Sequence, residues 1–173
     1  MEMKLDLKAM RKHPRSPFDF QATESWEQMD HRGRTLHYTR DVSVSGEATL
    51  RNDTVHVWVE IDTALAVECS RCLTPMPTTV GLEEHFTLYP EPEGGFAGLP
   101  IEGFGYANTA DELELRPYIE RLIDSSMATK PLCRDDCQGI CPDCGQDLNV
   151  GACECADRQP VDPRLEKLKE LLA

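Results

Sequence analysis

The chain has 173 residues, 40% of them hydrophobic and 28% charged, which suits one domain, or one domain with a small appendage, and argues against wholesale disorder. Its formal charge of -13 is unevenly distributed, because residues 1–51 hold nine Lys/Arg and eight Asp/Glu whereas residues 52–173 hold nine and 23. Such a surface repels a phosphate backbone and attracts basic proteins, although the same excess of acid also serves solubility alone.

The first residues of the chain, Met1–His13, carry a charge every two or three positions and therefore contain no apolar segment of a signal peptide. No run in the sequence approaches the roughly 18 apolar residues of a membrane span. We therefore expect a cytoplasmic protein without a membrane partner. Pro14 and Pro17 break any long helix in this region, so only loops and short elements are predicted before Arg34.

From Arg34 to Leu115 the apolar residues recur with a period of two, which is typical of half-buried strands. The clearest runs are 42–50, 55–61, 63–67 and 78–89, with a turn after residue 50. Alternation with short connections predicts an antiparallel sheet of four or more strands, and closure into a barrel is one form that such a sheet can take. Residues 90–110 are rich in Gly, Pro and acids and are predicted to form a long loop, either disordered or used for aromatic contacts.

The apolar period changes from two to 3.6 at Pro117, a residue that suits the first turn of a helix. We predict that this helix packs on the sheet through one apolar stripe, formed by Tyr118, Ile119, Leu122, Ile123 and Met127. A last short helix is predicted from Asp162. The expected fold class is therefore α+β, with a core domain over residues 1–130 and a cysteine-rich tail over residues 131–173 that includes the last helix.

The eight cysteines are the strongest chemical signal in the chain. Thiols stay reduced in the cytoplasm, so these cysteines are interpreted as metal ligands before disulfides. Zinc takes four soft ligands at tetrahedral corners, and two cysteines separated by two residues can chelate one ion through a tight turn. We therefore predict that two zinc ions staple the tail, with ligands Cys69, Cys72, Cys133, Cys137, Cys141, Cys144, Cys153 and Cys155.

The spacing is compatible with two divisions of these ligands between two ions. The preferred partition gives one ion to the short, self-contained loop 141–155, with Cys141, Cys144, Cys153 and Cys155, and the other to Cys69, Cys72, Cys133 and Cys137. A grouping of residues 133, 137, 141 and 144 is the alternative. An iron–sulfur cluster also uses four thiolates, and a thioredoxin-like redox pair or a disulfide framework are further interpretations.

The sequence offers no pattern that specifies a reaction. None of the five histidines lies within ten residues of a cysteine, whereas a catalytic zinc site usually mixes in His or carboxylate and keeps an open position. There is no Gly-x-Ser-x-Gly, P-loop or Gly-x-Gly-x-x-Gly motif. We therefore predict a protein that is not an enzyme and has no small-molecule substrate.

Several stretches between residues 68 and 172 together resemble the YceD family, the large ribosomal RNA subunit accumulation proteins. These stretches are Glu68–Leu73, Asp111–Cys133, Cys137–Asn149 with Cys153–Cys155, and Asp162–Leu165. The resemblance implies a role in the synthesis, processing or stability of large-subunit (23S) ribosomal RNA. We predict a non-catalytic ribosome-biogenesis factor; the alternatives are a metal-dependent RNA-processing enzyme and a thiol redox or metal-storage protein.

The expected partner is the large-subunit ribosomal precursor, bound through rRNA, through a basic ribosomal protein, or both. Between Cys72 and Leu115 the chain has eight acids and no Lys or Arg, so this region is expected to face a basic protein. Phosphate contacts, if any, are expected from the N-terminal third, although its cations could equally be a scattered, solvated set: Lys4, Lys8, Arg11, Lys12, Arg15, Arg32, Arg34 and Arg40.

Overall fold

The protein is described by a computed structural model that covers residues 3–92 and 104–155. These residues form eight strands and two α-helices, so the chain is mostly sheet with few helices. In chain order they are β1 (Lys4–Asp6), α1 (Leu7–Lys12), β2 (Phe18–Glu24), β3 (Gln28–His31), β4 (Arg34–Arg51), β5 (Thr54–Glu68), β6 (Pro75–Pro90), β7 (Gly105–Tyr106), β8 (Glu112–Glu114) and α2 (Arg116–Ser126).

The main sheet has six strands in the order β2-β4-β5-β6-β7, and β3 also pairs with β4. The pairs β2/β4, β3/β4 and β4/β5 are antiparallel, as the alternating sequence predicts. The short pair β6/β7 is parallel, however, so the sheet is mixed and part of the predicted loop 90–110 is strand. Closure into a barrel is not observed, because the sheet path over the described residues ends at β2 and β7.

A small two-stranded sheet brings the first residues of the chain to the segment before α2. Strand β1 pairs antiparallel with β8, and Leu5 lies opposite Leu113. Residue 113 thus resumes the alternation as predicted, but in this small sheet and not in the main one. The N-terminal region also holds more structure than the sequence predicted, because its prolines interrupt helix but leave β2, a seven-residue strand, intact.

The predicted turn after residue 50 connects β4 and β5. Asn52 and Asp53 both adopt left-handed backbone angles, with φ of 50° and 59°, as the two central residues of a tight hairpin require. The strand that follows is longer than predicted. Residues 63–67 do not form a separate strand but continue β5, since their alternation runs on without a break.

Helix α2 begins at Arg116 with Pro117 in its first turn, as the change of period predicts. Its apolar stripe belongs to the same buried cluster as the inward residues of the sheet, and Ile119 and Ile123 have no exposed surface. The Tyr118 ring stacks on the Phe86 ring of β6, with centroids 6.2 Å apart. Helix α2 therefore covers the sheet and contributes to its core, to which α1 adds Leu7 and Met10.

The chain divides into two compact units. The first comprises Met1–Val67 and Met76–Thr129, and the second comprises Glu68–Pro75 and the chain from Lys130 onward. The predicted domain limit at residue 130 is close to the end of the first unit, but the turn that carries Cys69 and Cys72 clusters with the tail. The predicted last helix lies outside the described residues. None of the described helices is long and apolar enough to span a membrane.

Candidate metal centre

The second unit joins two distant segments of the chain through backbone contacts. The turn between β5 and β6 carries Cys69 and Cys72, and the backbone N–H of Ser70 in this turn donates to the Pro131 carbonyl at 2.8 Å. The guanidinium of Arg71 donates to the Cys137 carbonyl at 2.7 Å. These bonds hold the first cysteine pair beside the start of the tail.

The first four-cysteine group, Cys69, Cys72, Cys133 and Cys137, places its sulfur atoms within 4.8 Å of one another. The Sγ atoms of Cys69 and Cys137 are 3.8 Å apart, and those of Cys72 and Cys133 are 3.6 Å apart. A tetrahedral ion with sulfur at about 2.3 Å needs sulfur–sulfur separations of about 3.8 Å. A disulfide needs about 2.05 Å, and all four cysteines are free. The group therefore fits one metal ion.

The second group, Cys141, Cys144, Cys153 and Cys155, also lies within 4.8 Å. The short loop folds locally: the Cys141 N–H donates to the Gln146 carbonyl at 2.8 Å, and Ile140 forms an isolated bridge with Asp147. This group could hold a second ion. The two groups have the membership of the preferred partition rather than that of the alternative 133/137/141/144.

Each group begins with the same tight turn. The N–H of Leu73 donates to the Cys69 carbonyl at 2.9 Å, and the N–H of Gly145 donates to the Cys141 carbonyl at 2.9 Å. Both residues follow the second cysteine of a Cys-x-x-Cys pair, and both have positive φ, 61° and 74°. Glycine is the residue that adopts this conformation without strain, so Leu73 is an exception that the sequence did not indicate.

The thiols within each group differ in their pKa. A backbone hydrogen bond from Cys72 lowers the pKa of Cys69 to about 6, and one from Cys144 lowers the pKa of Cys141 to about 7. Loss of water around the sulfur and the neighbouring thiols raise the pKa of Cys133 to about 12. Each group thus contains one thiol whose pKa lies at or below neutral pH, and binding of a metal ion should release protons from the thiols that are still protonated.

Asn149 supports the first group from outside. Its Nδ2 donates to the Cys137 sulfur at 3.6 Å, while its Oδ1 accepts from the Gln138 N–H and from the Arg134 guanidinium, both at 2.8 Å. Such contacts orient metal ligands and tune their basicity. The sequence analysis did not single out this residue, although Asn149 ends one of the stretches that carry the family resemblance.

Gly139 lets the two segments of the first group approach each other. Its φ is +78°, and a Cβ atom at this position would lie 3.0 Å from the Arg71 carbonyl oxygen. The Ile140 N–H donates to that same oxygen at 3.3 Å. A side chain at residue 139 would therefore push the tail away from the turn that carries Cys69 and Cys72.

Comparison with protein families matches residues 57–172 to the family described as large ribosomal RNA subunit accumulation protein YceD. The chain belongs to the YceD family. The match covers more than half of the chain and includes all eight cysteines, so the resemblance drawn from the sequence is confirmed.

Curated relatives include uncharacterized proteins of Mycobacterium bovis and of the CDC 1551 and H37Rv strains of Mycobacterium tuberculosis. Each is 35% identical to this chain over 109 residues, which cover 61% of this chain and 49% of the relative. The chain thus spans about half the length of the curated relatives that it matches. No solved structure matches it.

Proposed function

We propose that this protein is a non-catalytic ribosome-biogenesis factor that supports the synthesis, processing or stability of large-subunit (23S) ribosomal RNA in the cytoplasm. The observation that carries the proposal is the family match over residues 57–172, since the family is described by ribosomal RNA accumulation. The family description supports a ribosome-related role. We further propose that the protein fulfils this role by binding a ribosomal partner.

The two cysteine groups support a structural role for the metal, which we propose to be zinc. Four thiolates around one ion fill its tetrahedral shell, whereas a catalytic zinc ion keeps one position open for water or substrate. Four soft sulfur ligands at these separations suit zinc. In this proposal the ions fold the second unit, and no reaction takes place at them.

The environment of the N-terminal cations favours a basic ribosomal protein over bare RNA as the direct contact. Lys4 lies 3.5 Å from Glu112, and Lys8 lies 3.9 Å from Asp111. The guanidinium of Arg11 donates to two backbone carbonyl groups of the chain itself. Cations that already have acceptors within the protein lose part of their attraction for phosphates.

Deletion of the gene in its own host tests the function. We expect the ratio of large-subunit to small-subunit ribosomal RNA to fall, and to be restored by the wild-type gene. The Cys69→Ala/Cys72→Ala double variant should fail to restore it, whereas the exposed Ser70→Ala variant of the same turn should succeed. An unchanged ratio in the deletion strain would overturn the proposed function.

A second assay separates binding from catalysis. The zinc-loaded protein is incubated with precursor large-subunit RNA, alone and with Mg²⁺. We expect the RNA to remain uncleaved. Cleavage that disappears in a variant lacking one cysteine would establish the metal-dependent enzyme instead.

A further inference from the structure

The outward face of the main sheet carries a row of acids around one tryptophan. Along β5 the inward residues Val55, Val57, Val59 and Ile61 are buried, so the alternate positions, including Trp58 and Glu60, point away from the core. Trp58 is partly exposed, whereas Trp26, the other tryptophan, is 4% exposed. A large aromatic side chain is thus kept at the surface of a sheet whose core is already filled.

The strand registers place two carboxylates in line with this indole, and a hydrogen bond joins a third carboxylate to it. Asp19 of β2 lies opposite Glu47 of β4, and Glu47 lies opposite Trp58 of β5. On β6, Glu83 accepts a hydrogen bond from the Trp58 Nε1 at 3.2 Å. We call these four residues the acid–tryptophan row. The hydrogen bond fixes the edge of the indole and leaves its face for another group.

A groove runs beside the row on the same face. Its volume is about 260 Å³, and its walls combine acid, hydroxyl, imidazole and aromatic groups, including Glu47, His56, Trp58, His85 and Thr87. A planar cation with several hydrogen-bond donors could stack on the aromatic ring in these walls and donate to the carboxylate.

The carboxylates of the row carry charge that no described cation of the chain neutralises. Within residues 3–92 and 104–155, no ion pair involves Asp19, Glu47 or Glu83. On the same sheet, Asp62 shows the contrast, because Arg40 lies 2.7 Å from it. A phosphate backbone would be repelled at the row, and a cation would be attracted.

We propose that the acid–tryptophan row is a docking surface for an arginine-bearing, extended segment of a basic protein. A guanidinium placed over the Trp58 indole can donate at the same time to Glu47 on one side and Glu83 on the other. Further cations of the segment would meet Asp19 and Glu60 along the face. Only the identity of the partner as a large-subunit ribosomal protein rests on the proposed function; the surface and its chemistry do not.

The probe for this proposal is a fluorescently labelled, ten-residue peptide of alternating arginine and glycine, titrated with the full-length, metal-loaded protein at low salt. Binding is read by anisotropy for the wild type and for Trp58→Ala, Glu47→Gln and Glu114→Gln. Glu114 is an exposed acid on β8, in the separate two-stranded sheet, so Glu114→Gln removes the same charge elsewhere. Circular dichroism confirms that each variant is folded.

We expect Glu47→Gln and Trp58→Ala each to weaken the peptide about fivefold, and Glu114→Gln to change the affinity less than twofold. Equal losses in Glu47→Gln and Glu114→Gln, or no loss in Trp58→Ala, would overturn the proposal in favour of general charge attraction. A parallel titration with a single-stranded fragment of large-subunit RNA should give weaker binding that Glu47→Gln improves.

Tight RNA binding that Trp58→Ala abolishes would replace the basic segment with nucleic acid as the occupant. The peptide assay does not depend on ribosomal RNA levels. A normal RNA ratio in the deletion strain would therefore overturn the proposed function without affecting this surface, and a failed peptide assay would overturn the surface alone.

Discussion

The two units of this chain achieve a folded structure by different means. The first buries a continuous apolar cluster that runs through both sheets and both helices. Among its described residues the second buries a much smaller cluster, formed by Cys69, Cys72 and Cys137 with Leu132 and Ile140 packed against them, and Cys141 is buried as well. Because few apolar side chains are buried in the described part of this unit, we expect bound metal to supply much of its stability.

The two units should lose stability under different treatments. If ions bind the cysteine groups, the free energy of metal binding becomes folding free energy in the second unit, whereas the first unit depends on packing. The two units should therefore respond to different perturbations. Chelators should act on one, and truncation of core side chains on the other.

Removal of metal should produce the largest effect. Structural zinc contributes on the order of 10 kcal/mol in small metal-dependent folds, so excess chelator should unfold the second unit. Hydrogen exchange followed by mass spectrometry should show loss of protection in residues 130–155, with β4 and β5 still protected, and recovery when zinc is returned. Equal loss of protection in both units would show that the first unit also depends on bound metal.

Truncation in the apolar core should have the opposite pattern. Ile119 is fully buried, so Ile119→Ala should lower the free energy of unfolding of the first unit by about 2–5 kcal/mol. Denaturant titration measures this loss, and metal analysis of the folded variant should still give the wild-type content. A variant at an exposed position of the same helix, Ser125→Ala, serves as the control. Loss of metal in Ile119→Ala would show that the units are not independent.

The contact of Asn149 with the Cys137 sulfur should have an intermediate effect. Removal of a residue that orients a metal ligand typically weakens metal affinity 10- to 100-fold. Asn149→Ala should do so at one of the two sites, as read by competition with a chromophoric chelator. Val150→Ala, at a neighbouring residue that is 86% exposed, should leave both affinities unchanged. Equal metal affinities in Asn149→Ala and Val150→Ala would show that the Asn149 side chain does not support the metal site.

The smallest effects are expected at the two matching turns. Leu73 is left-handed and 54% exposed, so Leu73→Gly should relieve strain and stabilise the second unit by up to about 1 kcal/mol. At the equivalent position Gly145→Ala should cost about 1 kcal/mol, although no atom lies within 4 Å of the added Cβ. Chelator midpoints measure both changes. If both substitutions moved the chelator midpoint in the same direction, the two turns would not be equivalent.

The features of this fold that the sequence predicted are those set by local periodicity. The hairpin at Asn52, the sheet from Arg34 and the helix with Pro117 in its first turn follow from side-chain alternation and backbone preference. The pairing of β1 with β8 and the parallel pair β6/β7 depend on contacts between distant residues that periodicity does not encode. The sheet also stays open over the described residues, which alternation alone could not decide.

The cysteine groups also combine features that the sequence predicted with features that it could not predict. The spacing predicted which residues could bind metal and gave a preferred partition, because a short loop must close on itself. It could not reveal Asn149, whose role depends on a contact with residue 137, or the left-handed Leu73, where glycine is the usual choice. The acid–tryptophan row was equally hidden, since it arises from the register of three strands and a hydrogen bond to a fourth.

We propose that the eight cysteines hold two zinc ions, one in each group. Native mass spectrometry of the full-length chain, purified under reducing conditions without added metal, tests it directly. We expect a mass that exceeds that of the polypeptide by two zinc ions, less the hydrogens that they replace, and conversion to the bare chain in chelator. A bare chain whose tail stays protected from hydrogen exchange would show that the tail folds without metal. A mass that includes iron and sulfide would show an iron–sulfur cluster instead of zinc.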